Sequence, residues 1–374
     1  MAGTLNLTPK QEEDLYHRLR ERVNELGFGY GTAGGAELVM LKEFYTPQDA
    51  MFFLDMPRDD FFTAEDFAEI EGIDKTKAAV ILKDMAERAN IFHEVREDGK
   101  DYYHTIPAAH GIYEFHTRWL DPSWVGGGLI PTLSRPDAAK NTFNSGFPFY
   151  HTMPIGPEVV KEGELPDEDN LWELLKTKRR FAVCPCDCLA ISRDMFVPDQ
   201  CDHPTNVCIQ TDGMADYYLD DIKTGREITY EEAVAILKKS IEGNLVPQTT
   251  FSHKSEIFCS CALCHCGILQ GSKGFPGDAN VNQTRYVIEH NAETCVKCGK
   301  CAKKCPMQAI TMDPETKLPV IDYSCVGCGQ CVETCPKDAR ILTRKPEEQI
   351  VDYAESMWES YAWMEEHRRK MGRL

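Results

Sequence analysis

The sequence predicts an α+β protein made of separate modules. Helix patterns and a hairpin signal fill the first hundred residues. All 17 cysteines lie between residues 184 and 335, and the last eight form one motif that occurs twice. We therefore divide the chain into four segments, 1–118, 119–284, 285–345 and 346–374.

Composition narrows the class of protein. The formal net charge of −19 argues against nucleic-acid binding, because proteins of that class usually present a basic surface. The chain has no run of about 18 apolar residues that could span a membrane. Its first ten residues lack the pattern of a signal peptide, so we expect a cytoplasmic protein. Cysteines in tight C-x-C and C-x-x-C groups then predict metal ligation rather than disulfides.

The first segment is predicted to hold an N-terminal helix, Pro9 to Leu26, and a winged-helix-like domain. Three helices are expected to start near Thr46, Thr63 and Lys75, followed by two strands that meet at the Asp98-Gly99 turn. Residues 46–106 contain 15 acidic and 7 basic residues. Phosphate contacts supply most of the affinity for DNA, so the charge favours a protein-docking or structural role over DNA reading.

The middle segment carries nine cysteines in two groups. Residues 107–180 are predicted to be loops, and a helix from Tyr230 to Asn244 separates the groups. The first group is Cys184, Cys186, Cys188, Cys201 and Cys208, and the second is Cys259, Cys261, Cys264 and Cys266. Soft thiolates select iron–sulfur clusters or zinc. We expect one or two additional [4Fe–4S] clusters, with zinc as the alternative.

The ligand sets of these upstream cysteines stay open at this stage. One candidate set is Cys186, Cys188, Cys201 and Cys208, and the other is Cys259, Cys261, Cys264 and Cys266. The two groups could equally converge on one site and leave free thiols. His203 and His265 are expected to hydrogen-bond the sulfurs rather than to ligate a metal.

The third segment contains the motif C-x-x-C-x-x-C-x-x-x-C-P twice. It occurs at Cys295, Cys298, Cys301 and Cys305, and again at Cys325, Cys328, Cys331 and Cys335. This spacing is typical of bacterial-type 2[4Fe–4S] ferredoxins, in which the fourth cysteine of each run ligates the other cluster. Cluster I is therefore predicted to take Cys295, Cys298, Cys301 and Cys335. Cluster II is predicted to take Cys325, Cys328, Cys331 and Cys305.

In its order of motifs the chain resembles a family of anaerobe proteins described as 4Fe–4S binding or dicluster ferredoxin-like. The matching stretches are residues 34–38 through 46–50, Cys186-Asp187-Cys188, residues 201–204 with Cys208-Ile209, and residues 259–269. Ala262 and His265 stand where that family has cysteines, and Leu189 stands where it has arginine. The resemblance implies iron–sulfur electron transfer.

Three functions are compatible with these patterns. The leading one is an electron-transfer subunit that links a low-potential donor to a partner oxidoreductase or another electron-transfer protein. The second is a redox enzyme that uses an open iron or a free thiol of the middle segment. The third is a redox-sensing DNA-binding regulator, which the acidic first segment disfavours. The fourth segment, Pro346 to Leu374, is predicted to be one helix.

Overall fold

The computed structural model describes residues 6–27, 29, 35–119, 121, 123, 125–126, 148–196, 201–274, 282–372 and 374; for 194–196 and 282–283 it describes the backbone alone. The chain forms two compact units. The first contains residues 1–145, 213–225 and 361–374, and the second contains residues 146–212 and 226–360. The four predicted segments stay a prediction.

Five helices and a two-stranded sheet make up most of the first unit. They are α1 (Pro9–Glu25), α2 (Leu38–Phe44), α3 (Pro47–Asp55), α4 (Ala64–Glu71), α5 (Lys75–Glu87), β1 (Phe92–Val95) and β2 (Asp101–His104), and a short helix follows at Tyr113–Phe115. The predicted helix starts are confirmed. The side chains of Thr46 and Thr63 each accept a hydrogen bond from the backbone N–H of the third helical residue, which is an aspartate in both helices. The aspartate side chain in turn accepts a hydrogen bond from the backbone N–H of the threonine. The winged-helix class itself stays a prediction.

The described part of the second unit contains a mixed sheet of seven strands. The strands are β3 (Tyr150–Thr152), β4 (Phe181–Pro185), β5 (Asn206–Thr211), β6 (Arg226–Ile228), β7 (Val246–Thr250), β8 (Ile257–Cys261) and β9 (Asn282–Gln283). Their order is β6-β4-β5-β8-β7-β3-β9. All neighbours are antiparallel except β3 and β9, which are parallel.

The two faces of this sheet differ in chemistry. One face carries Val183, Ile209 and Phe258, which lie in a hydrophobic core with Leu237 of the helix Tyr230–Glu242. Side chains alternate between faces along a strand, so the cysteines next to these residues lie on the other face. Further helices of the second unit are Leu171–Lys176, Asp187–Leu189 and Gly267–Gly274.

The duplicated cysteine motif is flanked by short strands. They are β10 (Tyr286–His290), β11 (Ile310–Met312), β12 (Pro319–Ile321) and β13 (Arg340–Arg344), and the motif itself forms the helices Lys300–Lys304 and Gln330–Glu333. β10 pairs with β13 and β11 pairs with β12, both antiparallel. Strands β11 and β13 begin directly after Ala309 and Ala339, at equivalent positions of the two runs.

Two predictions of secondary structure are wrong. Residues 107–180 are not loops throughout, because β3 and the helix Leu171–Lys176 lie in the described part of that range; Trp124 and Gly127–Gly128 lie outside the described residues. The last helix runs only from Met357 to Lys370, after a helical turn at Glu347–Gln349. The chain before it is extended because Ala354 pairs with Ser252, and the Ala354 carbonyl accepts a hydrogen bond from the backbone of His253. The described residues also include an α-helix at Asp212–Asp216.

Candidate cofactor sites

The two cysteine runs have the same backbone conformation. Positive φ angles recur 30 residues apart, at Lys297 and Gly327, at Gly299 and Gly329, and at Gln308 and Asp338. Such turns direct backbone N–H groups into the loop, where they make a concave site for an anion. The N–H groups of Ala309 and Ala339 donate to the sulfurs of Cys305 and Cys335, each at 3.3 Å. Both loops therefore provide backbone N–H donors that stabilise negatively charged sulfur.

The structure brings together the cysteines predicted for cluster I. Cys295, Cys298, Cys301 and Cys335 line one cavity, although Cys335 belongs to the second run. The crossover that the spacing predicts is therefore present in the fold. The assignment of these thiols as ligands stays a prediction.

The cysteines predicted for cluster II also lie close together. Burial raises the pKa of the Cys331 thiol to about 12, and the nearby Cys325 and Cys305 add to the increase. Burial raises the pKa of Cys328 as well, and the same two cysteines again contribute. Crowded, buried thiols of this kind deprotonate when a metal binds, because the metal supplies the compensating positive charge.

Arg340 is a candidate site residue that the motif search missed. It is buried, and its Nη1 donates to the Cys331 sulfur at 3.8 Å. Its Nη2 is buried and has no hydrogen-bond partner among the described residues, although Arg340 also lines the cavity of the cluster I cysteines. A buried, unpaired donor is costly, so this atom fits a site that holds sulfide acceptors. The signal in the sequence was an arginine where the first run has the apolar Ile310.

The upstream cysteines occupy the second face of the seven-stranded sheet. Cys184 of β4 lies opposite Cys208 of β5, and Cys259 of β8 lies opposite Gln248 of β7. The pairing of Ile209 with Phe258 places Cys208 next to Cys259. Directly opposite residues of antiparallel strands share a face, so these thiols form one row across the sheet.

Six upstream thiols form a continuous chain of contacts, which we call the sheet thiol chain. Its order is Cys186, Cys188, Cys266, Cys261, Cys259 and Cys208, and each thiol lies near enough to the next to shift its pKa. Hydrogen bonds from Cys186 and Cys266 lower the pKa of Cys188, and those from Cys208 and Cys261 lower the pKa of Cys259. Cys184 stands outside this chain, and burial raises the pKa of its thiol.

The two ligand sets proposed from the sequence are mixed in the fold. Cys186, Cys188 and Cys208 of the first set join Cys259, Cys261 and Cys266 of the second in the sheet thiol chain. Cys201 instead lies beside Cys264, and burial together with a hydrogen bond from Cys201 raises the pKa of the Cys264 thiol to about 11. The alternative in which the two groups converge is closer to the observed arrangement.

Histidines accompany the Cys201–Cys264 pair. The Cys264 sulfur lies 3.5 Å from Nδ1 of His203 and 3.2 Å from Nδ1 of His265, and the Cys201 sulfur lies 3.9 Å from Nδ1 of His265. One ligand atom from each of these four residues can be chosen so that all lie within 4.8 Å of one another. We call this group the Cys2His2 group.

The sheet thiol chain and the cluster II cysteines share one hydrophobic cluster. Its buried members include Cys261 and Cys266 from the sheet thiol chain and Cys328 from the second run, with Leu269 and Met307 packed among them. Cys259, Cys305 and Cys325 pack against its edge. Apolar packing thus connects the two sulfur-rich sites.

The two runs differ in exposure and in charge. Cys298 is exposed and Val296 is 53% exposed, whereas Cys328 and Cys331 are buried. The first run carries four lysines, at positions 297, 300, 303 and 304, and the second run carries none. This difference in charge can be read from the sequence, where the four lysines of the first run contrast with the strongly negative charge of the whole chain.

Comparison with protein families identifies one domain. Residues 288–341 match the family described as the 4Fe-4S dicluster domain. This part of the chain is therefore a 4Fe–4S dicluster domain, which supports the prediction of [4Fe–4S] clusters. Comparisons with curated proteins and with solved structures gave no match. No helix in the described part of the chain is both long and apolar enough to cross a membrane.

Proposed function

We propose that this protein transfers electrons between a low-potential donor and a partner oxidoreductase, and that a third cluster extends the path of the dicluster domain. A bound [4Fe–4S] cluster supplies one-electron redox chemistry. The chain supplies the arrangement of the sites. The less buried set is Cys295, Cys298, Cys301 and Cys335, and the more buried set is Cys325, Cys328, Cys331 and Cys305. The sheet thiol chain packs against the second set. A cytoplasmic location belongs to the same proposal.

The shared hydrophobic cluster is the observation that carries this proposal. Cys261 and Cys266 pack in it with Cys328, so a cofactor held by the sheet thiols would lie beside cluster II. Four of the six thiols in the sheet thiol chain would hold one cube, because such cubes take four cysteines. Apolar surroundings also exclude water, which favours fixed potentials and protects reduced clusters.

The surface of the first run is the proposed entry point for electrons. Lys297 and Lys300 are exposed and line the cavity of the cluster I cysteines, together with the exposed Val296. Positive charge around an apolar centre attracts an acidic partner and speeds its association. The partner class that fits is an acidic electron carrier. For the winged-helix-like domain, we propose a docking or structural role.

Iron content with two alanine variants tests the third cluster. We expect about 12 irons per chain in protein purified without oxygen, since each cube contains four. Cys266→Ala should reduce the count to about 8 and leave the EPR signals of the dicluster domain. Cys184→Ala is the matched control, because Cys184 lies outside the sheet thiol chain, and it should retain about 12. Eight irons in the unmodified protein would reject the third cluster.

A redox enzyme is the second candidate, and the number of thiols favours it. The sheet thiol chain has six members, two more than one cube requires. Cys188, which is the second member of the sheet thiol chain after Cys186, is exposed, so a small molecule could reach that part of the chain. The test is the EPR spectrum of the reduced protein with added small thiols, acids or thioesters. A spectrum that none of them changes would reject this candidate.

A further inference from the structure

The Cys2His2 group stands apart from the sheet thiol chain, although the two share one turn. Cys264 and His265 belong to the Cys2His2 group, whereas Cys266 belongs to the chain. The other half comes from a loop more than 60 residues earlier, through Cys201 and His203. Two short segments, distant in sequence, thus place two sulfurs and two imidazole rings around one point.

The distances fit a single tetrahedral ion. Zinc binds cysteine sulfur at about 2.3 Å and histidine nitrogen at about 2.0–2.1 Å, so sulfur and nitrogen ligands of one zinc lie about 3.6 Å apart. The observed sulfur–nitrogen distances of 3.2, 3.5 and 3.9 Å lie on both sides of that value. A four-iron cube would hold its ligands further apart. A Rieske-type cluster would place the two cysteines on one iron and the two histidines on the other.

Residues outside the group hold both segments in place. Arg193 donates to the carbonyl oxygens of Cys201 and His203, and to the Thr205 hydroxyl at 2.6 Å. Gln270 donates to the carbonyls of Leu263 and Cys264 at 3.1 and 3.2 Å. Outer residues of this kind fix the orientation of metal ligands.

We propose that Cys201, His203, Cys264 and His265 bind one structural zinc ion. Two thiolates and two imidazoles form a closed tetrahedral set of the type that structural zinc prefers. The ion would link the loop before Cys208 to the turn before Cys266, and so fix the positions of two members of the sheet thiol chain. This inference does not depend on the proposed electron transfer.

The test combines metal analysis with a zinc-specific measurement. Protein is produced with zinc in the medium and purified without oxygen, and zinc and iron are measured per chain. X-ray absorption at the zinc edge is blind to iron, and it should show two sulfurs at about 2.3 Å and two nitrogens at about 2.0–2.1 Å. About one zinc per chain is expected. An oxygen-rich zinc shell, or no zinc, would overturn the proposal.

Two variants with opposite outcomes provide the control. His203→Gln should abolish the zinc and leave the iron content unchanged, whereas Cys261→Ala should reduce the iron by about four and leave the zinc. Loss of iron in His203→Gln would place His203 at an iron–sulfur cluster instead. If a variant does not fold, a chelator is added to the unmodified protein. Zinc should then leave while the visible absorbance of the clusters persists, and zinc that cannot be removed without loss of that absorbance contradicts a separate site.

Discussion

The duplicated run and the cysteine-rich sheet bring cysteine sulfurs together in different ways. In the duplicated run, local spacing fixes which sulfurs meet, because three cysteines of each run lie on one turn of chain. In the sheet, the thiols come from β4, β5, β8 and the turns that follow, and strand register decides which ones meet. Local sites can therefore be predicted from the sequence, whereas sites made by register cannot.

The largest expected effect concerns the buried carboxylate of Asp169, which connects the strands of the dicluster domain to the segment between β3 and β4. Asp169 accepts hydrogen bonds from the Tyr286 and Tyr353 hydroxyls and pairs with Arg344 at 3.2 Å. Removing one partner of a buried charge pair costs about 3–5 kcal/mol. Asp169→Asn should therefore lower the free energy of unfolding by about 3 kcal/mol, as measured by urea denaturation without oxygen.

The control for Asp169 is an exposed ion pair of the same unit. Glu227 is 60% exposed and contacts Arg180 at 2.9 Å, so Glu227→Gln should change the free energy of unfolding by less than about 1 kcal/mol. Equal effects of the two substitutions would mean that Asp169 does not join the two regions.

The next effect compares equivalent glycines of the two runs. Gly299 and Gly329 both have positive φ angles, of 71° and 88°, which cost an alanine about 1 kcal/mol or more. A Cβ at Gly329 would meet Val159 Cγ2 at 2.5 Å, whereas a Cβ at Gly299 would find its nearest neighbour at 3.9 Å. Gly329→Ala should be less stable than Gly299→Ala by about 1–3 kcal/mol in the same urea experiment. Equal stability of the two variants would show that Gly329 is not packed more tightly against its neighbours than Gly299.

Arg340 should set the potential of cluster II. Its guanidinium is buried beside Cys331, and positive charge favours the reduced, more negative state of a cluster. Arg340→Gln should lower one midpoint potential by on the order of 100 mV in an EPR-monitored titration. The exposed Arg226, which pairs with Glu232, is the control, and Arg226→Gln should leave every potential unchanged. A shift that is the same in both variants would rule out a local effect of Arg340.

The smallest expected effect is a change in association rate. Replacing Lys297 and Lys300 with glutamine should slow electron transfer from a reduced acidic ferredoxin by roughly tenfold at low salt, because electrostatic steering is lost. The difference should vanish at high salt, where charges are screened. The matched control replaces the exposed Lys238 and Lys239 of the helix Tyr230–Glu242. A slower rate in the control variant would contradict a docking surface at cluster I.

Much of the fold could be predicted from local signals. Capping threonines and the Asp98-Gly99 turn predict α3, α4, β1 and β2 because each signal acts within a few residues. The seven-stranded sheet could not be predicted, since its neighbours β5 and β8 lie some 50 residues apart in sequence. Cys201 and Cys264 are also far apart in sequence, so their proximity could not be predicted. Arg340 was missed because a motif search follows cysteines rather than the residues that contact them.

The continuity of the path from cluster II to the sheet thiol chain is most directly tested by EPR of the fully reduced protein. Clusters that lie close together broaden each other's signals by magnetic interaction. We expect the unmodified protein to show this interaction beyond that of the dicluster domain, and Cys266→Ala to remove the added part. A spectrum that is identical in the two proteins would contradict a third cluster beside Cys328.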